Sequence, residues 1–222
     1  TVPWVVYPYG ITVTPDSARV YVAARNSRSV LVIDAATNTV TSSITGVGEP
    51  YGVAVSPDGA SLYVVQRSSN TMAIVDTVSN KVVGSVTGLT GGLQIGVATN
   101  PAGTRVYVAN ISGTNQLAVI DPVSRTIIAT VPGGTPAQGV GVSVDGTRIF
   151  VANSGNNQIS VIDAASNAVL YTVPVGAAPY GLTVGADGKK VYVVNSGGDS
   201  VSVLDSLGAA AGGVGGSGGV GG

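Results

Sequence analysis

The chain has 222 residues, 33 of them Gly, with a formal net charge of -1; only 9% are charged, while 44% are hydrophobic. It contains no His and no Cys, which excludes imidazole general bases, thiolate nucleophiles, disulfides and the commonest metal ligands. The near-neutral balance offers no basic surface for nucleic acid, and no apolar run approaches the roughly 20 residues that span a bilayer. We therefore predict a globular protein without catalytic residues, metal or cofactor, which binds no nucleic acid and does not span a membrane.

The beginning of the chain matches a segment near its other end. Residues 1–3 and 172–174 both read TVP, and each is followed by PYG, at residues 8–10 and 179–181. The later segment joins two repeat units, so residues 1–6 are predicted to form the last strand of a unit. Trp4 stands where the later segment has Val175, and we interpret it as sealing a seam between units in preference to contacting a partner.

Five copies of one unit follow. Each begins near a glycine, at Gly10, Gly52, Gly96, Gly139 and Gly181, with spacings of 42 to 44 residues. An aspartate ends a VID-like run at the same period, at Asp34, Asp76, Asp121, Asp163 and Asp205. A repeat of this length indicates a protein built from stacked supersecondary units.

Each unit contains four short runs rich in β-branched residues, separated by turn sequences such as PDG. In the second unit these runs predict strands at 52–56, 61–65, 71–76 and 81–87. Four antiparallel strands per repeat are typical of a β-propeller blade, because one small twisted sheet buries both faces only between neighbours. The sequence predicts an all-β propeller of about five four-stranded blades over residues 1–206.

The end of the last unit is compatible with two blade counts for the ring. This unit stops after its third strand at Asp205. Residues 1–6 could supply the fourth strand and close a five-bladed ring, hiding two sheet edges. The same unpaired strand is expected if the chain is a fragment of a seven-bladed ring with two further blades upstream. Residues 207–222 are glycine-rich and are predicted to form a flexible linker or tail.

Several strings resemble the YVTN family of β-propeller repeats. They are YVAN at 107–110, FVAN at 150–153 and YVVN at 192–195, each followed by a VID-like run, with Ala24 and Gln66 replacing the Asn in the first two units. The resemblance covers about residues 1–206. It implies an extracellular or cell-surface propeller, usually of seven blades, that serves as a binding or scaffolding module. The tail resembles the glycine-rich sequence of mycobacterial PE-PGRS proteins.

The residues that recur in every unit are interpreted as structural. Aspartates in the first turn and at the end of the third strand would accept backbone N–H bonds, although calcium bridging by these residues is left open. Asparagines at the end of the second strand would bond their own backbone. Aromatic residues in the second strand would pack between blades, at Tyr21, Tyr63, Tyr107, Phe150 and Tyr192.

The residues that vary between copies fall on one predicted face, around the channel. Tyrosine offers flat apolar area and amides offer directional hydrogen bonds, which suits a glycan or peptide ligand. A rim without a ligand is an equal alternative. The candidate ligand-binding residues are Tyr9, Tyr51, Gln94, Gln138 and Tyr180, interpreted as lying immediately before the repeated glycines, and Arg25, Arg28, Arg67, Glu49 and Asp199 in the loops.

Three functions fit this pattern. We favour a monomeric, non-catalytic, secreted or cell-surface module that binds a protein or glycan at the channel rim. A lactonase-like propeller hydrolase is the enzymatic alternative, for which only Glu49 and Asp199 offer carboxylates outside the repeat. A purely structural surface repeat is the third.

Overall fold

The computed structural model describes residues 7–67, 69–89, 94–110, 115–132 and 136–206. These ranges contain nineteen β-strands and no helix, and therefore no helix able to cross a bilayer. The predicted strand at residues 1–6, with Trp4, and the predicted tail at 207–222 lie outside the described residues.

The strands form five consecutive antiparallel sheets. The first contains β1 (Pro8–Val13), β2 (Arg19–Ala24), β3 (Ser29–Asp34) and β4 (Thr39–Ile44). The second contains β5 (Pro50–Val55), β6 (Ser61–Gln66), β7 (Thr71–Asp76) and β8 (Lys81–Val86). The third contains β9 (Gln94–Thr99), β10 (Val106–Asn110), β11 (Asn115–Asp121) and β12 (Thr126–Pro132). The fourth contains β13 (Ala137–Val142), β14 (Arg148–Asn153), β15 (Gln158–Asp163) and β16 (Val169–Pro174), and the fifth contains β17 (Pro179–Val184), β18 (Lys190–Asn195) and β19 (Ser200–Asp205).

These sheets are the blades of a five-bladed β-propeller, as predicted. Within each blade the strands pair in sequence order, and the fifth blade has three strands among the described residues. The first strand of each blade lines a central channel. Along the channel, β1 packs beside β5, β5 beside β9, β9 beside β13, and β13 beside β17.

Aspartates fix the tight turns between the first and second strands. In the fourth blade, Asp145 Oδ1 accepts hydrogen bonds from Ser143 Oγ at 2.5 Å and from Thr147 N at 3.0 Å. Gly146 follows with φ of 73°, a conformation that costs glycine little. The structural role predicted for the repeated aspartates is confirmed where a backbone N–H donates to them, at Asp16, Asp34, Asp58, Asp76, Asp121, Asp145, Asp163 and Asp187.

Two of the asparagines that end the second strand, Asn153 and Asn195, do not act as turn residues, and the prediction is wrong for them. Asn153 is buried, and its Nδ2 donates to Ser160 Oγ on the next strand at 2.8 Å. Asn195 donates to Ser202 Oγ in the same way, at 2.9 Å. The backbone groups at these positions lie within the paired strands, so the side-chain amide donates to a serine hydroxyl of the adjacent strand instead.

The core is divided among the interfaces between blades. Each blade has a forward face, formed on its second and third strands by an aromatic residue and aliphatic neighbours; in the first blade it consists of Tyr21, Ala23, Val30 and Val32. It packs on the rear face of the next blade, which in the second blade includes Val53, Leu62 and Val64. The same arrangement recurs at the next three interfaces. The aromatic residues of the first four blades pack between blades as predicted.

Among the described residues, no interface forms between the fifth and first blades, and we call this gap the open seam. The forward face of the fifth blade consists of Tyr192, Val194, Val201 and Val203, which are between 43% and 56% exposed. The equivalent residues of the other four blades are at most 5% exposed. Across the seam, Ile11 and Val13 on the first blade are 67% and 50% exposed, and β17 and β1 make no contact comparable to the other four. The prediction that Tyr192 packs between blades is therefore wrong within the described structure.

Candidate ligand-binding site at the channel mouth

The two predicted sets of loops lie at the same end of the channel. In the first blade Pro8, at the start of the innermost strand, pairs with Ala24, at the end of β2. Backbone hydrogen bonds join the loops there: Arg25 N donates to Tyr7 O at 3.2 Å, and Arg67 N donates to Glu49 O at 3.0 Å. The antiparallel pairing thus places each loop after the second strand beside the entry of the first strand.

A cavity of about 360 Å³ occupies this end of the channel. All five repeated glycines line it, because the innermost strands approach closely there. A Cβ on Gly10 would overlap the Tyr51 carbonyl oxygen, and a Cβ on Gly139 would lie 2.6 Å from that of Tyr180. Ile11, Val53 and Leu182, each directly after a repeated glycine, form an apolar part of the wall that the sequence reasoning missed. Their fixed position after those glycines was the available signal.

Three tyrosines from the first, second and fifth blades converge at the cavity. The rings of Tyr9 and Tyr51 stack with centroids 3.8 Å apart and an interplanar angle of 27°. Tyr51 is buried, whereas Tyr9 and Tyr180 are partly exposed. We call Tyr9, Tyr51 and Tyr180 the tyrosine cluster.

Hydrogen bonding and burial shift the pKa values of the three phenols in the tyrosine cluster. The hydrogen bond from Tyr51 lowers the pKa of Tyr9, and Arg25 lowers it further. Burial raises the pKa of Tyr51, and its hydrogen bond to Tyr9 adds to that rise. Burial also raises the pKa of Tyr180. The phenol oxygen of Tyr9 thus accepts a hydrogen bond from the Tyr51 hydroxyl.

Two arginines flank the tyrosine cluster, one in an ion pair and the other stacked over a tyrosine ring. Arg25 Nε lies 3.3 Å from Glu49 Oε2, and a hydrogen bond with Tyr9 raises the pKa of Arg25. The Arg67 guanidinium lies over the Tyr51 ring, 5.4 Å from its centroid. No carboxylate within the described ranges forms an ion pair with Arg67. The mouth therefore presents one neutralised arginine and one whose charge is available to a ligand.

The structure brings together six of the ten predicted residues, namely Tyr9, Tyr51, Tyr180, Arg25, Arg67 and Glu49. Three others make no described contact with them. Gln138 donates to Ser154 Oγ at 3.3 Å. Arg28 and Asp199 are exposed loop residues with positive φ and have no ion pair among the residues described.

The strand register corrects the place of the tenth residue. Gln94 pairs with Asn110, as Pro8 pairs with Ala24 and Ala137 with Asn153. The position equivalent to Tyr9 is therefore occupied by Ile95 in the third blade. The side chains of Gln94 and Ile95 lie outside the described part of the structure.

No metal-binding group is assembled by the described residues, since three or more Asp or Glu side chains do not cluster there. No family model and no curated relative matches the chain. The geometry of the channel mouth is thus the basis for a functional assignment.

Proposed function

We propose that the protein is a non-catalytic interaction module, secreted or held at the cell surface, which binds an acidic glycan at the channel mouth. The observation that carries this proposal is the Arg67 guanidinium, which pairs with no carboxylate of the described residues and lies beside the partly exposed tyrosine cluster. The cavity volume of about 360 Å³ is at the lower end of the range for small-ligand pockets and suits one or two sugar rings.

The chemistry of the mouth matches a sugar that carries a carboxylate. Tyr9 and Tyr180 offer flat apolar area for the face of a sugar ring, together with hydroxyl groups for its hydrogen bonds. A guanidinium binds a carboxylate through two parallel hydrogen bonds, which adds both affinity and orientation. Arg25 is already paired with Glu49, so Arg67 is the arginine that would bind the acid.

Non-catalytic binding is supported by the placement of the two carboxylates outside the repeat. A hydrolase needs an acid and a base positioned around one substrate. Glu49 is held in its ion pair with Arg25, and Asp199 is an exposed loop residue of the fifth blade. The extracellular location, and the assignment to YVTN-type propellers, are supported by the repeat strings YVAN, FVAN and YVVN.

Titration calorimetry with oligomers of galacturonic acid, and with galactose oligomers of equal length, tests the proposal. We expect the acidic oligomer to bind more tightly. Arg67→Gln should weaken binding of the acidic oligomer by about tenfold or more, because a charge-assisted hydrogen bond is lost. Arg105→Gln is the matched control, because Arg105 pairs with Asp121 at the other end of the blade and should bind like the unaltered chain.

Two results would contradict the proposal. One is equal affinity for the acidic and neutral oligomers, which would remove the role of the arginine. The other is acidic binding that Arg67→Gln and Arg105→Gln weaken to the same degree, since this would indicate a general charge effect.

A further inference from the structure

The open seam exposes a surface whose function elsewhere in the molecule is to form an interface. Register pairs Tyr192 with Val203 and Val194 with Val201. The same pairing joins Tyr21 to Val32 and Ala23 to Val30 in the first blade. The forward face of the fifth blade is therefore built like the four that are covered, yet it is exposed. Contiguous exposed apolar residues of this kind mark an interaction site.

The four covered interfaces show what fits such a face. In each, the partner is the rear face of the next blade, with aliphatic residues from its first two strands. Within the described residues, one rear face has its innermost strand exposed, that of the first blade at Ile11 and Val13. Val22 and Ile33, on the second and third strands of this rear face, are 7% and 8% exposed, so the exposed part of the face is its innermost strand. The chain thus carries a complete forward face and the innermost part of a rear face of the type that it already contains four times.

We infer that the forward face of the fifth blade binds the rear face of the first blade of a second copy of this chain. The contact is head to tail and continues the stacking of blades from one molecule into the next. Because such a contact uses two different surfaces, each added copy leaves one forward and one rear face available, and assembly proceeds beyond a dimer unless the ring closes. This departs from the monomer expected from the sequence.

The charges at the edge of the seam are compatible with this contact. Lys190 Nζ lies 2.5 Å from Asp205 Oδ1, so the charged edge of the forward face is neutralised. In the first blade the equivalent residue, Arg19, donates from Nη1 to Thr77 O of the next blade at 2.6 Å. Lys190 is placed to donate to the equivalent carbonyl of the second copy, that of its Ala35. With a net charge of -1, long-range repulsion between copies is small.

Sedimentation velocity of the full chain over a concentration series tests the inference. We expect the average mass to rise with concentration, and Val201→Lys to abolish that rise, because it places a charge in the apolar face. Val78→Lys is the matched control, since Val78 is an exposed turn residue away from the seam, and it should associate like the unaltered chain. Circular dichroism of both variants verifies that their blades are folded.

Disulfide trapping tests the direction of the contact, and the absence of native cysteine makes it specific. A mixture of Ile11→Cys and Val201→Cys chains should form a mixed disulfide under mild oxidation, while Val201→Cys alone should not. A chain that stays monomeric at every concentration overturns the inference, because the seam is then covered within one molecule. Disulfides formed by Val201→Cys with itself, and not with Ile11→Cys, would also overturn it.

Discussion

At the residue scale, the repeated glycines are equivalent in sequence but not in surroundings. A Cβ on Gly139 would lie 2.6 Å from the Tyr180 carbonyl oxygen and 3.2 Å from Leu182 N, both backbone atoms that move only with their strand. A Cβ on Gly181 would meet no atom within 4 Å, because no described residue packs against it across the open seam. Glycine is therefore required at this position only where the backbone of the next blade occupies the space of a Cβ atom.

This difference predicts unequal effects of the same substitution. We expect Gly139→Ala to lower the free energy of unfolding by about 1–3 kcal/mol, the usual range for overpacking, because strands β13 and β17 must separate. Gly181→Ala should change it by less than about 0.5 kcal/mol, as at an open surface site. Urea unfolding of both variants measures the difference. Equal losses at the two positions would show that the seam is closed in solution.

At the element scale, equivalent strands contribute differently to folding stability, depending on whether another blade covers their forward face. Tyr107 on β10 is buried against the fourth blade, whereas Tyr192 on β18 occupies the equivalent place at the seam. Each of the two side chains lies opposite a valine on the third strand of its own sheet. The contribution of this tyrosine thus depends on the presence of a following blade.

Alanine substitution separates these two environments. Tyr107→Ala should cost about 3–5 kcal/mol, as for other large aromatic residues removed from a core. Tyr192→Ala should cost well under half of that, since the side chain already contacts solvent. The measurement is chemical denaturation at protein concentrations low enough to prevent association. A loss at Tyr192 as large as at Tyr107 would mean that another part of the chain covers the seam.

The strands were largely predictable from the sequence, and the seam was not. In the second blade the predicted 71–76 matches β7, and the predicted 52–56 misses the start of β5 by two residues. The strand continues to Pro50 through a bulge, in which Pro50 pairs with Gln66 and Val53 with Val64. Alternation cannot reveal a bulge, because the extra residue changes the side-chain period locally. Nor can a repeat reveal which copy lacks a neighbour, since Tyr192 and Tyr107 have the same local sequence signal.

The candidate site was predictable in its residue types but not in its grouping. The string PYG placed Tyr9, Tyr51 and Tyr180 at equivalent positions, and antiparallel pairing placed the arginine loops at the same end. The sequence could not decide which arginine is neutralised, because that depends on the approach of Glu49 to Arg25 across two blades. The prediction also misplaced Gln94 by one residue, because Ile95 is the residue directly before Gly96.

At the scale of the whole molecule, the repeated aspartates make the folding stability depend on pH in the acid range. Hydrogen bonds from serine and threonine hydroxyls or from backbone N–H groups lower the pKa of these carboxyls in the folded chain, at Asp16, Asp34, Asp58, Asp76, Asp121, Asp145 and Asp163. A carboxyl whose folded pKa is depressed contributes stability above its unfolded value of about 3.9, and loses it as the pH falls through the folded value.

The melting temperature should therefore be nearly constant from about pH 7 to 5 and should fall steeply below about pH 4. Differential scanning calorimetry over this range measures the profile. Asp145→Asn should make the acid loss shallower, because one of the seven groups no longer titrates. Asp199→Asn is the control, since Asp199 accepts no hydrogen bond among the described residues and has φ of 44°, which asparagine tolerates. A profile without a decline between pH 5 and 2 would contradict the assigned role of these turns.

The open seam also bears on how the chain reaches its fold. In a sealed ring, the last blade must pack against the first, which is the contact of greatest separation along the polypeptide. Here every extensive interface joins blades that are one repeat apart, 42 to 44 residues. Loop-closure entropy favours such short-range contacts, so assembly can start at any adjacent pair of blades and spread in both directions. For the part of the chain that the structure describes, we therefore expect folding as a linear array of blades, in which the middle blades are the most stable.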